Sequence, residues 1–475
     1  MKKIYVYLAL IAVLFSACKK KNLDLFPYNQ IETSQAFNTE TDVNLALGGA
    51  YSGLRGMGNY KQGEWNIVYE VISDNVIINE QGRLSQQVFH NWQYKGNATV
   101  GLFSQAYSVI RRTNAILENI DNVPSTPTFV NNVKGQALAL RALLHFEMAR
   151  VYSKTFNLAT NADSTVPFIT TTDPTILPAK ISVKEMYDKI VLDLTTAEPL
   201  IATSNGVGRL NRAAVQGILS KVYLYMGDWP KAIASATSAL GATPNLPNIA
   251  TFPSIWTDAT ETGVLFKTKN TLLDNSNTLG VNYYQTVAGG IRSEYNVDYD
   301  FYQLFANNDV RKSSYTLQAA YNGTNYNHVV KYAGKTGFPA GVLDAKILRT
   351  AEVLLNRAEA YYRNNNEAAA LADLVLLKTN RYTGYVAEVL AGTALLNEIM
   401  LQRRLELAFE GERFFDLKRW GMAVTRSGKG DKADGTGTPS IFQSIPAGDY
   451  RFNFPLPDSE LNFNKNLKQV PGYNN

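Results

Sequence analysis

Acidic side chains that could carry out acid–base chemistry lie in residues 398–421, where charged residues alternate with large apolar ones. Glu410 and Glu412 are two positions apart, and a glycosidase would need two carboxylates about 5–10 Å apart across a cleft. The apolar residues of this stretch recur at helical spacing and must be buried. Charges three or four residues apart can pair along such a helix. We therefore expect one long core helix with its own ion pairs rather than a catalytic pair.

Aromatic side chains among amides indicate a different chemistry, the non-covalent binding of a sugar, between residues 56 and 103. Aromatic rings cover the C–H faces of a sugar, while Asn, Gln, Asp and Arg hydrogen-bond its hydroxyls. Asn97 follows Trp92 and Tyr94 closely, and Trp65 lies earlier in this glycine-rich stretch. Trp92 is the first candidate for a ligand contact, with a buried ring as the alternative. The further candidates are Arg83, Tyr283, Arg292 and Tyr295.

Other chemistries lack the residues that they need. The single cysteine, Cys18, excludes a disulfide framework, and three scattered histidines have no zinc-binding spacing. Phosphate-binding and serine-hydrolase motifs are missing as well, so we expect neither a cofactor nor a metal. Asp431 and Asp434 lack the pattern of a calcium loop and predict a solvated loop. The net charge of +5 is too small and too dispersed to predict nucleic-acid binding.

The elements that must position these residues are mainly helices. Periodic apolar residues predict helices over residues 103–120, 135–153 and 182–200. Thr39 is placed to cap another helix that starts at about residue 40. Glycines interrupt residues 56–103, and residues 250–345 are irregular and aromatic, so both predict loop-rich structure.

An internal repeat organises the helices. Residues 213–244 fit a tetratricopeptide unit, because small residues recur where two antiparallel helices must approach closely and Gly227 makes the turn. Residues 351–378 form a second, weaker unit. The helices at 135–153 and 398–421 could belong to two more pairs. Stacked pairs of this kind bury a continuous core, so the sequence predicts a mainly α fold with about four helix pairs.

The first residues predict export and attachment to a membrane. Residues 1–17 have the pattern of a secretory signal, with an apolar core of 12 residues. This core is too short to span a bilayer, which takes about 20 residues. The residues before Cys18 resemble a bacterial lipobox, in which the cysteine becomes the first mature residue and carries lipid. Cys18 is therefore the expected lipid anchor, followed by a polar tether over residues 18–22, and a plain signal peptide is the alternative.

Three stretches resemble a known family. The first stretch contains Leu23, Asp24, Pro27, Phe37 and Gly49-Ala50-Tyr51. The second is the run of charged and aromatic residues at 398–421. The third is the tail from Pro457 to Tyr473, in which Val470 stands where Asn is usual. Their order resembles the SusD/RagB family, outer-membrane lipoproteins that capture nutrients, usually glycans.

The resemblance implies a tetratricopeptide-like scaffold with a loop-rich cap, in which residues 23–245 form an N-terminal SusD-like region and residues 246–475 a C-terminal one. Trp92 and Asn97, five positions apart, look like the family's starch-binding pattern. The implied protein is lipid-anchored and surface-exposed on the outer membrane. It captures an oligosaccharide for a SusC-like TonB-dependent transporter and breaks no bond. The alternatives are a RagB-like protein that captures peptides, a tetratricopeptide adaptor and, less favoured, a glycosidase.

Overall fold

A computed structural model describes residues 36–56, 64–99, 101–273 and 279–473. The signal sequence, Cys18, the tether and the motif residues Leu23, Asp24 and Pro27 lie outside these ranges, as does the side chain of Trp65. In the described part of the chain, no helix is long and apolar enough to cross a membrane.

Helices make up most of the regular structure. They are α1 Glu40–Gly56, α2 Glu64–Val71, α3 Gln87–His90, α4 Leu102–Asn119, α5 Pro127–Tyr152, α6 Val183–Leu200, α7 Arg212–Met226, α8 Trp229–Leu240, α9 Phe252–Trp256, α10 Leu279–Tyr283, α11 Tyr299–Gln303, α12 Val310–Tyr315, α13 Thr350–Arg363, α14 Glu367–Thr379, α15 Gly392–Glu406, α16 Arg413–Trp420 and α17 Asp458–Phe463. The helix-rich fold is thus confirmed, and α4, α5 and α6 lie where periodicity predicted helices. Thr39 caps α1, since its hydroxyl accepts the N–H of Asp42 at 3.2 Å.

Several consecutive helices pack against each other. In the predicted unit at 213–244, α7 and α8 are joined by Gly227, whose φ of 74° suits glycine. Asp228 then caps α8 by accepting the N–H of Lys231. The unit at 351–378 likewise contains two helices, α13 and α14. Local turn chemistry therefore determines where the chain turns between α7 and α8.

The prediction of a single helix over residues 398–421 is wrong. Two helices, α15 and α16, are separated by a turn over residues 407–412 in which Phe409 and Gly411 have φ of 66° and 73°. The buried carboxylate of Glu70 accepts the N–H groups of both residues, at 2.9 and 3.0 Å. A distant side chain thus satisfies backbone donors that a continuous helix would have bonded internally.

A sheet occupies much of the region that was expected to be irregular. In the described ranges the strands are β1 Val76–Ile78, β2 Val264–Thr268, β3 Gln285–Val287, β4 Gly290–Arg292, β5 Tyr295–Val297, β6 Thr316–Tyr321, β7 Thr324–Val329, β8 Ala345–Arg349, β9 Val424–Thr425 and β10 Ser444–Ile445. Six form a curled antiparallel sheet in the order β1-β5-β7-β6-β4-β3. In register, Val76 pairs with Val297. The sheet therefore connects the segment before α3 to the aromatic segment after β2.

Candidate functional site

A groove of about 690 Å³ lies where the residues after α3 meet the C-terminal tail. Its walls are Val88, Trp92–Ala98, Tyr450, Asp458, Gly472 and Tyr473. The groove therefore contains three of the residues singled out from the sequence, Trp92, Tyr94 and Asn97.

Backbone contacts position the loop that carries Asn97. The N–H of Ala98 donates to the carbonyl of Lys95 at 2.9 Å, which closes a tight turn and leaves Asn97 exposed. The N–H of Asp458, at the start of α17, donates to the carbonyl of Gly96 at 3.0 Å. A Cβ on Gly96 would lie 1.9 Å from the Asp458 carboxylate, so glycine permits this close approach. The loop is thus fixed to the tail.

Trp92 lines the groove as a buried residue. Its side chain is 3% exposed, and its indole N–H donates to the carbonyl of Ile72 at 2.9 Å. The guanidinium carbon of Arg426 lies 3.9 Å from the ring centroid and covers a face of the indole. Because so little of the ring is accessible, the structure favours the alternative of a packing role and does not support Trp92 as the main platform for a sugar.

Tyr94 is also a buried residue that packs behind the groove surface. Its ring is 2% exposed and stacks on Phe454 with 4.4 Å between ring centroids. Its hydroxyl donates to the carbonyl of Arg451. Burial raises the pKa of Tyr94 far above its ordinary value, so the phenol stays neutral and keeps donating this bond. The predicted ligand contact through the Tyr94 ring is therefore not supported.

The accessible aromatic surface comes instead from the C-terminal tail. Tyr450 is 44% exposed and stands edge-to-face with half-buried Tyr473, with 4.9 Å between centroids. Exposed polar groups of Gln93, Asn97 and Asp458 border the same groove. Sequence reasoning missed Tyr450, Tyr473 and Asp458 as site residues. A signal was available for Tyr450, because an aromatic residue after Gly448 and Asp449 stands in a turn and not in a periodic core segment.

The other predicted site residues lie away from this groove. Arg292 is half-buried on β4 and donates to Gln285 at 2.8 Å. Tyr295 on β5 is fully buried, and Tyr283 packs edge-to-face against it at 6.0 Å. Arg83 donates to Glu294 at 2.7 Å. A ring without accessible surface cannot stack on a sugar, so Tyr295 and Tyr283 are corrected to core residues.

The carboxylates of residues 398–421 are bound to buried cations. Glu410 accepts from Lys331 at 2.8 Å and from Arg349, while Glu412 pairs with Lys221 at 2.9 Å. Although burial opposes it, Arg349 and Lys331 lower the pKa of Glu410. Neither carboxylate belongs to the groove. A glycosidase needs a carboxylic acid with a raised pKa beside open space, whereas the pKa of Glu410 is lowered and neither carboxylate lines the groove.

Asp431 and Asp434 differ in their surroundings. Asp431 is 4% exposed and accepts the N–H groups of Glu80 and Thr438 at 3.2 and 3.0 Å, so the prediction of a solvated residue is wrong there. Asp434 is exposed and accepts the N–H of Thr436. Across the ranges that the structure describes, no group of three or more His, Cys, Asp or Glu residues could hold a metal ion.

Comparison with known proteins gives one consistent class. The SusD family model matches residues 276–473, and a model described as starch-binding associating with outer membrane matches residues 21–224. The SusD-like protein P2 of Formosa agariphila is 24% identical, with 100% of each chain covered. The starch-binding protein SusD of Bacteroides thetaiotaomicron is 29% identical over 136 residues, 27% of this chain and 22% of that protein. A crystal structure of a SusD superfamily protein from Bacteroides thetaiotaomicron is 26% identical, with a TM-score of 0.80 and coverage of 91% of this chain and 100% of that one.

These matches follow the chain from the N-terminal helices to the tail, and they agree with the helix-rich fold. The chain belongs to the SusD/RagB family.

Proposed function

We propose that this protein captures an oligosaccharide in the groove between residues 92–98 and the C-terminal tail. The observation that carries the proposal is the exposed Tyr450 ring in a groove of about 690 Å³ that exposed polar side chains also border. The aromatic ring covers a C–H face of a sugar, and the amides and Asp458 bond its hydroxyls. The description of the matching family model as starch-binding supports a glycan as the ligand class.

The capture is non-catalytic. Glu410 and Glu412 are held by cations in the interior, and the Asp458 carboxylate has no second carboxylate among the residues that line the groove. A glycosidase distributes two carboxylates across one cleft. We infer that the groove holds the glycan intact and that the protein delivers it to a SusC-like TonB-dependent transporter.

The scaffold and the anchor complete the proposal. We infer that the helix pairs form a tetratricopeptide-like scaffold, with the loop-rich parts of the 23–245 and 246–475 regions presenting the groove. Lipid on Cys18 would hold the protein at the outer membrane, with residues 18–22 as the tether. The family model's description as associating with outer membrane supports this location.

Calorimetry with the soluble chain of residues 22–475 tests the ligand. We expect one class of oligosaccharide in a panel of glycans and peptides to bind, and chromatography of the mixture to recover it uncleaved. Shortened products would establish a hydrolase. Binding of peptides without glycans would favour the RagB-like alternative.

Membrane fractionation tests the anchor separately. The full-length chain should partition with outer membranes, and a Cys18→Ala variant should move to the soluble fraction, because acyl chains supply membrane affinity at about 0.8 kcal/mol per buried CH₂ group. A Cys18→Ala variant that still partitions with membranes would contradict lipid anchoring.

A further inference from the structure

A second cavity, of about 270 Å³, lies beside the 3₁₀ turn Tyr450–Phe452. Its wall includes Thr155, which follows the end of α5, Lys418 on α16, and Asn453. Tyr450 borders the groove described above, whereas Phe452 and Asn453 border this cavity. The two spaces therefore share one short segment of the C-terminal tail.

Two side-chain oxygens in this wall have no hydrogen-bond partner in the described part of the protein. Thr155 is 4% exposed, and its hydroxyl oxygen is buried without a hydrogen-bond partner. The amide oxygen of Asn453 is likewise buried without a hydrogen-bond partner. A buried polar atom that is left unpaired destabilises the folded state. Because side-chain rotation can direct both groups to an occupant of the cavity, an occupant could offset part of this destabilisation.

Lys418 adds a donor, and its neighbours add apolar surface. The amine of Lys418 donates to the carbonyl of Arg150, which leaves further hydrogen-bonding capacity unused. Burial, with the charge of Arg150, holds the pKa of Lys418 well below its usual range. The residue is 7% exposed, so this donor is buried in the wall. Leu158 and Met422 are 51% and 42% exposed and present apolar surface at the cavity. The wall thus combines a buried amine, a hydroxyl, an amide and an apolar rim.

We propose that this cavity is a second carbohydrate subsite that binds one sugar unit. A hydroxyl both donates and accepts, so a sugar can pair with the amide oxygen of Asn453 and with the Lys418 amine. An anion without a proton could accept from Lys418 but would leave the Asn453 oxygen unpaired. The volume lies just below the range of about 300–1,000 Å³ that holds drug-sized ligands, which suits a single ring. The subsite rests on the proposed function, because it assumes that a glycan is the ligand.

A double variant, Thr155→Val with Asn453→Leu, removes both unpaired oxygens while keeping side-chain size. Thr165→Val is the matched control, because Thr165 is also fully buried with an unpartnered hydroxyl but lies outside the cavity wall. Asn97→Ala weakens the groove alone. Calorimetry of residues 22–475 with maltohexaose, laminarihexaose, xylohexaose and mannohexaose identifies a hexasaccharide that binds.

For that hexasaccharide, the wild type and Thr165→Val should bind at two sites. The double variant should retain one site or bind at least fivefold more weakly, and a crystal soaked with the hexasaccharide should show a sugar ring beside Thr155. Wild-type affinity and stoichiometry in the double variant, or water alone in the soaked cavity, would overturn the proposal of a second subsite. The affinity of Asn97→Ala would still test binding in the groove. If none of the four hexasaccharides binds the wild type, both the subsite and the capture of these glycans are overturned.

Discussion

Tyr450 and Trp92 line the same groove, yet only Tyr450 has a ring surface that a ligand can reach. The exposed fractions are 44% for Tyr450 and 3% for Trp92. Trp92 instead positions the groove, since its indole is bonded to Ile72 and covered by Arg426. At the scale of the residue, side chains of one chemical type therefore divide into those that contact a ligand and those that hold the wall in place.

Removing the exposed ring should weaken glycan binding. A Tyr450→Ala variant should bind the captured oligosaccharide about tenfold more weakly, which corresponds to about 1.4 kcal/mol, because the stacking surface is lost. Phe442→Ala is the matched control, since Phe442 is 40% exposed but lies outside the groove. Calorimetry measures both affinities. Equal affinities of Tyr450→Ala and the wild type would exclude Tyr450 as a contact.

Stability should depend on pH through His145. Its Nε2 accepts the N–H of Ile169 at 3.1 Å, so Nδ1 carries the proton and donates to the carbonyl of Arg141 at 2.9 Å. Burial, with a further contribution from the charge of Arg141, lowers the pKa of His145 to about 3. The unfolded chain takes up this proton below about pH 6.5, whereas the folded chain does not. The contribution of neutral His145 to the free energy of unfolding is therefore fully present above pH 6.5 and is lost as the pH falls towards 3.

Urea unfolding at pH 7, 6 and 5 measures this dependence. From pH 7 to 5, His145 alone should reduce the free energy of unfolding by about 2 kcal/mol, because the slope approaches about 1.4 kcal/mol per pH unit below pH 6.5. Over the same interval, the free energy of unfolding of a His145→Gln variant should fall by about 2 kcal/mol less than that of the wild type. Parallel curves for the wild type and His145→Gln would show that His145 does not titrate differently in the two states.

At the scale of the element, the turn over residues 407–412 depends on Gly411. Its φ is 73°, and a Cβ there would lie 2.8 Å from the side-chain oxygen of Asn66. Gly384 has a similar φ of 69° but open space around it. Left-handed strain alone costs alanine about 1–2 kcal/mol at either position. The contact with Asn66 adds a cost at Gly411 only.

Comparing the two substitutions isolates this contact. Gly411→Ala should reduce the free energy of unfolding by at least about 1 kcal/mol more than Gly384→Ala, in line with the cost of overpacking. Urea denaturation of both variants gives the difference. Equal losses would mean that Asn66 moves aside freely and that the turn tolerates a side chain.

The helices were predictable because their information is local. Apolar spacing placed α4 to α6, and small residues at tetratricopeptide spacing placed α7 and α8, with Gly227 and Asp228 at the turn between them. The sheet was missed because several strands have only three residues, such as β1 and β5. Both strands are fully buried, and a run of three residues is too short to give a periodic signal.

The candidate site was only partly predictable, because its halves lie far apart in the chain. The motif around Trp92 and Asn97 identified one wall of the groove. The other wall comes from Tyr450 and Tyr473, and the burial of Trp92 depends on Arg426. Such long-range pairing has no signature in residue spacing, and the same holds for the break at Phe409, which the distant Glu70 stabilises.

At the scale of the whole molecule, buried ion pairs connect segments that are distant in sequence. Glu406 at the end of α15 is fully buried and accepts from Arg381 at 2.8 Å and from Arg349 at 2.8 Å. Arg311 approaches it at 3.5 Å and pairs with Asp309 at 2.8 Å. Although burial opposes it, Arg381 and Arg349 hold the pKa of Glu406 well below its usual range. The Glu406 carboxylate thus connects α12, β8 and the segment after α14 to α15.

Neutralising this carboxylate should therefore destabilise the whole fold. Glu406→Gln leaves three guanidinium groups around a neutral amide, and breaking a buried ion pair costs about 3–5 kcal/mol. Asp188→Asn is the control, since the exposed pair of Asp188 with Lys184, at 2.9 Å, should contribute less than about 1 kcal/mol. Urea denaturation followed by both far-UV and near-UV circular dichroism should show a large loss in one cooperative transition for Glu406→Gln. A loss as small as that of Asp188→Asn would contradict the connecting role of Glu406, because the three arginines would then be satisfied without its charge.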